Sequence, residues 1–367
     1  MKKSNKHKLA LQKQKMPKTK GIKLIKRRKA PEERLKEAFE NVPKITDETV
    51  SRHREDVLSS ARKYIYPLQH SRKRIVFISS SIVILAVIGF FAYIGLALYK
   101  FQNTNSFIYG VTRVVPLPVA KVGGSWVSYE SYLFELRRYM HYYETQQQVN
   151  FSTKTGQLQL DRYKRQAMNS VITAAYVNEL ASKYKVRVTS QQVNKEVALV
   201  RSQNRLGSSR KEFDAVLSDF WGWNEADFKR ELKQQMLQQA VVAKLDTKTN
   251  QEAENALNQL KHGADFATLA SKVSQDVTTK GNGGQFPNLI EKNDPNISPQ
   301  ITQELFRLKP GQISGIINTG YSLEIVKVIS DQGSKVQAAH ISFNFQPIAN
   351  FITPLRKTQK PNYFIHI

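Results

Sequence analysis

The longest unbroken apolar pattern in the chain is "IVFISSSIVILAVIGFFAYIGLALY", residues 75–99, which holds 25 residues and no charge. At about 1.5 Å of rise per residue, a helix of this length spans a hydrocarbon core of about 30 Å. Two amphipathic patterns precede it. "PEERLKEAFE" places Pro31 at a first helical position, and "TDETVSRHREDVLSSARKYIY" offers Thr46 as its N-cap. After the apolar run, Val119 to Val122 reads as a short strand, Gly123-Gly124 as a turn and Trp126-Val127 as a second strand. Ser128 then caps a helix whose apolar positions 129, 132, 133, 136, 140 and 143 share one face. Helical periodicity continues through "DRYKRQAMNSVITAAYVNELASKYK", "VRVTSQQVNKEVALVRSQN" with Thr189 or Ser190 as cap, "SRKEFDAVLSDF", and "NEADFKRELKQQMLQQAVVAKL" with Asn224 as cap.

The pattern changes after Asp246. Asn250 is expected to cap "QEAENALNQLKHG", Gly263 to end it, and "DFATLASKVS" to form another short helix. "GGQF", "ISPQITQELFRLKPGQISGII" and the strand-like "SLEIVKVIS" follow. Helices and strands interleaved in this way predict an α+β unit with an antiparallel sheet. The expected fold is therefore a transmembrane helix, a mainly α domain and an α+β domain.

Charge sets the topology. The chain of 367 residues carries a net +26 and no cysteine, which excludes disulfides and thiolate metal sites. Residues 1–74 hold 23 Lys and Arg against 8 Asp and Glu. "SRKR" flanks the apolar run on its N-terminal side, whereas the other side has Lys100 and then no charge until Arg113. The positive-inside rule places residues 1–74 in the cytoplasm and the domains after residue 100 outside it, in a single-pass membrane protein. A cleaved signal peptide is the rival reading, but it calls for a short leader and a shorter apolar run. The lysine-rich arm of residues 1–29 is expected to be disordered in isolation. Its partners are anionic membrane lipids, or the translocon or ribosome through ribosomal RNA; alternatively it serves only as a topogenic, solubilising tail.

"VAKVGGSWVSYESYLFEL", "AYVNELASKYKVRVTSQQVNKEV" and "FDAVLSDFWGWNEADFKRELKQQMLQQ" together resemble the N-terminal domain of SurA/PrsA-type foldases, over residues 116–245. The resemblance implies a helical chaperone cradle for unfolded polypeptide and no enzyme site within it.

"GADFATLASKVSQD…GNGGQF…ISPQITQELFRLKPGQISGIINTGYSLEIVKV" looks like a parvulin-type peptidyl-prolyl isomerase domain; the likeness covers about Asn250 to Val328, within a domain expected over residues 246–367. That reaction rotates an X-Pro bond across a barrier of about 20 kcal/mol and breaks no bond. A site for it needs an apolar seat for the proline ring beside a few polar groups facing an amide that loses its resonance. By this resemblance Phe286, Ile297 and Ile301 fall where the proline pocket is built, with Phe306 close behind. Asp276 faces the amide, Gln285 stands where an acidic residue is commoner, and Thr319 supplies a hydroxyl near the site. Ordinary core packing is the alternative for each apolar residue. The family usually carries two histidines. Glu324 occupies the last-strand histidine position, among the substrate-binding residues. The family's first strand has no counterpart before the Asn250 helix. "AAHISF" after the last strand looks like that strand, joined through "SDQGSK". Either the domain is circularly permuted, so that a hairpin delivers His340 to the catalytic group, or His340 opens a truncated second repeat. No metal or cofactor is implied. The expected function is an extracytoplasmic, membrane-anchored isomerase acting on secreted or surface polypeptides that contain proline. An inactive parvulin-like holdase, or an accessory of the secretion machinery, is the alternative.

Overall fold

A computed structural model describes residues 30–40, 45–65, 72–202, 206–207 and 209–367. The basic arm of residues 1–29 lies outside them. The chain divides into two compact units after Ala86. In the first, α1 (Pro31–Glu40) begins at its proline and α2 (Asp47–Ile65) at Thr46, whose hydroxyl accepts from the Thr49 N–H. The apolar helix α3 (Arg72–Gly95) begins in this unit and is the one candidate membrane span among the described residues.

The second unit opens with the end of α3, a π-helical turn (Leu96–Lys100) and α4 (Ser106–Val114). β1 (Pro118–Val122) and β2 (Ser125–Ser128) form the expected hairpin, and Ser128 caps α5 (Tyr129–Thr145) by accepting from the Ser131 N–H. Four helices follow: α6 (Lys154–Lys183), α7 (Ser190–Ser202), α8 (Arg210–Trp221) and α9 (Glu225–Leu245). Asn224 closes a capping box with Asp227 at the start of α9. The core of this helical region is aromatic, with Tyr129, Tyr132 and Tyr176 buried beside Leu133, Leu136 and Ile172. Each such side chain contributes about 1.5–3 kcal/mol through burial.

This core takes in residues from both ends of the unit. Ile94, Ala97 and Leu98, the last turns of the apolar run, are buried in it. These three residues fall inside the apolar stretch expected over residues 75–99, and the candidate span by length and composition covers Arg74–Lys100. From the other end, α14 (Ile348–Thr358) and β7 (Asn362–Tyr363) return to it. Ile352 and Ile365 are core residues, and β7 pairs with β1 to complete a three-stranded sheet. The tail from α14 onward, expected within the 246–367 domain, packs with the helical region.

Between these arms lies an antiparallel sheet in the order β3-β6-β5-β4, made of β3 (Ile290–Glu291), β4 (Ile317–Asn318), β5 (Ser322–Asp331) and β6 (Lys335–Asn344). Its helices are α10 (Thr247–Lys261), α11 (Phe266–Val273), α12 (Val277–Lys280) and α13 (Pro299–Leu305). Side chains alternate across a strand. Leu323, Ile325, Ala339, Ile341 and Phe343 therefore meet α10 and α11, while Val326, Val328, Val336 and Ala338 pack with Phe286, Ile301 and Leu305 on the opposite face. The β5–β6 hairpin turns at Gly333 (φ 83°) and registers Val326 opposite His340 and Glu324 opposite Ser342. His340, Ser342 and Glu324 consequently share the face that holds Phe286.

The cap of α10 is Asp246 and not Asn250, which lies inside the helix and donates to the Ala243 and Asp246 carbonyls. Asp246 is buried at the neck where the chain leaves and re-enters the helical region. One carboxylate oxygen accepts from the Thr249 hydroxyl (2.9 Å) and the Gln346 N–H (2.8 Å); the other accepts from the Thr249 N–H (3.2 Å) and the Gln346 side-chain amide (3.1 Å). Burial pushes this carboxyl up, but these four bonds outweigh it and hold it below the ordinary value.

Candidate active site

The segment between α11 and β3 is laid against the exposed end of β6 by backbone and side-chain bonds. Ser274 is fully buried and accepts from the Ser342 N–H (3.1 Å), while the Gln275 N–H donates to the Ser342 carbonyl (2.8 Å). Two residues on, Asp276 caps α12 by accepting from the Thr278 N–H (3.0 Å) and takes the Thr279 hydroxyl at 2.6 Å. The chain then passes through Gly283 and Gly284. Gly284 sits at φ +80°, and a Cβ there would lie 2.2 Å from the His340 carbonyl oxygen. Its N–C–O path must come this close because its own carbonyl accepts from the His340 N–H (2.9 Å). Only glycine meets both demands.

His340 is the centre of the site. Its Nε2 lies 2.9 Å from Asp276 Oδ2 and its Nδ1 lies 2.9 Å from Glu324 Oε2, and the Phe286 ring stacks on it at 4.3 Å between centroids. A neutral imidazole donates from one nitrogen only. A carboxylate on each nitrogen favours the charged, doubly protonated ring. Burial opposes charge on the ring, but Glu324 and then Asp276 outweigh it and raise the His340 pKa above 6.5. Burial likewise pushes Asp276 up, yet the bonds from Thr279, the Thr278 N–H and His340 outweigh it and hold the carboxyl at about 2.

Glu324 extends the line. Its second oxygen accepts from the Ser322 (2.6 Å) and Ser342 (2.8 Å) hydroxyls, and Ser322 Oγ lies 2.9 Å from Thr319 Oγ1. Thr319, Ser322, Glu324, His340, Asp276 and Thr279 thus form one continuous hydrogen-bonded row. Glu324, expected among the substrate-binding residues, both lines the cavity and holds His340. Its carboxylate is buried and engaged by His340 and two serines, so it positions the histidine.

Of the remaining residues predicted from sequence, Phe286 and Ile301 are buried in one apolar cluster, with Ile297 and Phe306 half-buried at its margin. Gln285 joins the sheet through a backbone bridge to Ala339, and its side chain is half-buried. Ile301, Thr319, Ser322 and Glu324 line a cavity of about 950 Å³ whose other wall belongs to the helical region, with Trp221, Trp223, Phe228 and Met236. Tyr321 reaches across to hydrogen-bond the Gln235 side chain. Phe286, His340 and Asp276 are not among the lining residues; the row reaches the cavity through Glu324, Ser322 and Thr319. The sequence reading did not single out Thr279, Ser322 or Ser342. The only signal for the last two was their alternation with apolar residues on β5 and β6.

A second cavity, of about 1190 Å³, lies within the helical region. Its walls are polar, with Arg138, Arg162, Arg165, Arg230, Gln234 and Glu231 among them.

Comparison with known proteins agrees with this architecture. Residues 68–242 match the model of the SurA-like N-terminal domain, and residues 235–330 match that of the PPIC-type PPIase domain. Foldase protein PrsA 1 of Lactobacillus johnsonii is 28% identical over 45% of this chain and 61% of its own length. A parvulin-like PPIase of Rickettsia bellii is 33% identical over 25% of this chain and 32% of its own. Foldase protein PrsA of Clostridium kluyveri is 24% identical over 53% and 55%. The chain therefore spans less than two thirds of the length of each of these relatives. The crystal structure of foldase protein PrsA from Streptococcus pneumoniae aligns at 16% identity over 56% of this chain and 81% of that one, with a TM-score of 0.21. The isomerase match ends at residue 330, before the strand that carries His340. This chain thus carries a SurA-like N-terminal domain followed by a PPIC-type PPIase domain, and its homologues include the PrsA foldases.

Proposed function

We propose that the chain is a membrane-anchored foldase that isomerises X-Pro bonds in polypeptide clients on the extracytoplasmic side of a bilayer. The observation that carries this reading is the hydrogen-bonded row through Asp276, His340, Glu324 and Thr319, set against the apolar cluster of Phe286 and Ile301 and opening on a cavity shared with the helical region. The apolar side chains seat the proline ring and exclude water from the amide, which favours the less polar, twisted form. The row supplies charges and hydroxyls fixed by mutual bonding, so that little reorganisation is needed as the amide loses resonance. The aromatic wall of the cavity, Trp221 and Trp223, gives the flanking client segment an apolar surface.

The position of β6 beside β5 favours a circularly permuted domain over a truncated second repeat, with His340 delivered by a strand that follows the family match. The uncharged run and its basic N-terminal flank support a single span with the N-terminus in the cytoplasm. Contact of the basic arm with anionic lipid, translocon or ribosome belongs to the same reading.

The test is a proline-peptide isomerisation assay on the full chain in detergent. Acceleration that is lost in His340→Ala and Phe286→Ala supports catalysis at this site. A second reading, a holdase without turnover, is favoured by the polar cavity of the helical region. Suppression of client aggregation with no acceleration of isomerisation would establish it and overturn the first.

A further inference from the structure

The apolar run and the helical domain are joined without a linker. Ile94 is 1% exposed and Leu98 fully buried while Leu96 between them is 53% exposed, so the helix is open on all sides only to about Tyr93 and beyond it one face belongs to the domain core. From Ile75 this leaves about 30 Å of helix, the thickness of the hydrocarbon core. Two tyrosine hydroxyls lock the joint: Tyr129 donates to the Leu98 carbonyl and Tyr99 to the Pro118 carbonyl, each at 2.7 Å. The domain therefore starts where the hydrocarbon ends.

The surface beside this exit is aromatic. Phe101 is 69% exposed immediately after the π-helical turn. The Gln102 side chain hydrogen-bonds the His366 carbonyl, which brings the tail segment with exposed Tyr363, Phe364 and Ile367 to the same place. Across β1, Trp126 is 63% exposed, its ring 5.8 Å from Phe364 and 4.9 Å from Lys121 Nζ. Clustered apolar side chains of this size do not usually face water without a partner. Tryptophan and tyrosine rings accompanied by lysine have the amphipathic profile of the layer where lipid headgroups meet acyl chains.

We infer that this face, formed by Phe101, Trp126, Tyr363, Phe364 and Ile367 with Lys121, lies in the headgroup layer of the bilayer that α3 crosses. The domain is then fixed to the membrane at two points, the helix and the aromatic face, and cannot swing freely about the helix end. Trp126 also lines the larger cavity, so docking sets one wall of that cavity beside the bilayer. The inference rests on the reading of α3 as a membrane span.

The experiment reconstitutes the full chain in vesicles of phosphatidylcholine and phosphatidylglycerol, with bromine on the upper acyl carbons as the quencher. Flotation comes first: a protein that fails to float overturns the span itself. In floating protein, the expected result is bromolipid quenching of tryptophan emission that is lost in Trp126→Phe, because Trp221 and Trp223 lie in the cavity between the two domains. Phe364→Glu should leave flotation intact while making Trp126 at least twofold more open to aqueous acrylamide. Flotation with Trp126 unquenched by bromolipid and open to acrylamide overturns docking and leaves the span standing. Trp126 shielded from both quenchers would mean that protein covers the face, which also overturns the proposal.

Discussion

Besides Asp246 at the neck, charged groups gather inside the sheet domain and along the cavity of the helical domain, and these two clusters are built on opposite rules. In the sheet domain, Asp276, His340 and Glu324 stand in a closed row whose carboxylate oxygens and ring nitrogens all have partners. In the helical domain, Arg138 pairs with Glu135 at 2.7 Å and Arg230 grips Glu130 through two bonds at 2.6 and 2.8 Å, yet Arg138 Nε and Gln234 Nε2 are buried with no hydrogen-bond partner among the described residues. Burial, then the neighbouring Glu135, pushes Glu231 up to about 7. These groups line the 1190 Å³ cavity. A matched network has one low-energy arrangement and holds a fixed geometry, which a reaction at one bond requires. An under-satisfied polar wall around open space leaves donors for water or for a polypeptide backbone, which suits a surface for varied chains.

The largest expected effect breaks the matched row. His340→Ala leaves the buried Glu324 and the half-buried Asp276 without their shared partner and should cost about 3–5 kcal/mol in urea denaturation. Gln234→Ala, in the unmatched wall, should cost less than about 1 kcal/mol; equal losses would erase the contrast. Gly284→Ala comes next. The left-handed backbone alone costs about 1–2 kcal/mol, and the clash with the His340 carbonyl adds to it, so both thermal stability and isomerisation rate should fall.

Glu324→Gln keeps the shape and removes one charge. The His340 pKa, followed by NMR titration, should fall, because Glu324 is the larger of the two carboxylate influences that raise it. The sign follows from linkage. A raised histidine pKa gives stability that is fully present below about 6.5 and is lost as pH rises through the folded value. In the variant that loss should be complete at a lower pH, and the contribution smaller, because the folded value lies closer to the unfolded one. Asp276 acts in the opposite direction: its contribution is present above about 4 and lost as pH falls toward about 2. The smallest effect belongs to the open wall. Binding of an unfolded client to the helical domain should change about fivefold across pH 7, the result of roughly 1 kcal/mol from one charge, and Glu231→Gln should flatten the profile.

Much of the local structure was legible because its causes are local. Ser128 and Asn224 cap their helices and Gly263 ends α10 through contacts within a few residues. Alternation along "SLEIVKV" and "AAHISF" set which residues share a face, and so brought His340 beside Glu324 once the hairpin formed. The Asn250 cap was misplaced for the complementary reason. Asp246 wins that position through Gln346, 100 residues away, which no window of sequence contains. Ser274, Ser322, Ser342 and Thr279 are common residues whose role lies in what they touch.

What the sequence determined by itself is what short-range physics dictates: helix and strand periods, caps and turns, a stretch apolar enough for lipid, and the sign of its flanking charge. Tertiary structure decided where the domain core takes over from that stretch, because a buried leucine and an exposed one look alike in a hydropathy pattern, and only packing distinguishes Leu98 from Leu85. It also decided that the last strand returns to β1 and that two carboxylates converge on one imidazole. Such outcomes depend on contacts distant in sequence, whose energies appear only when the whole chain has closed.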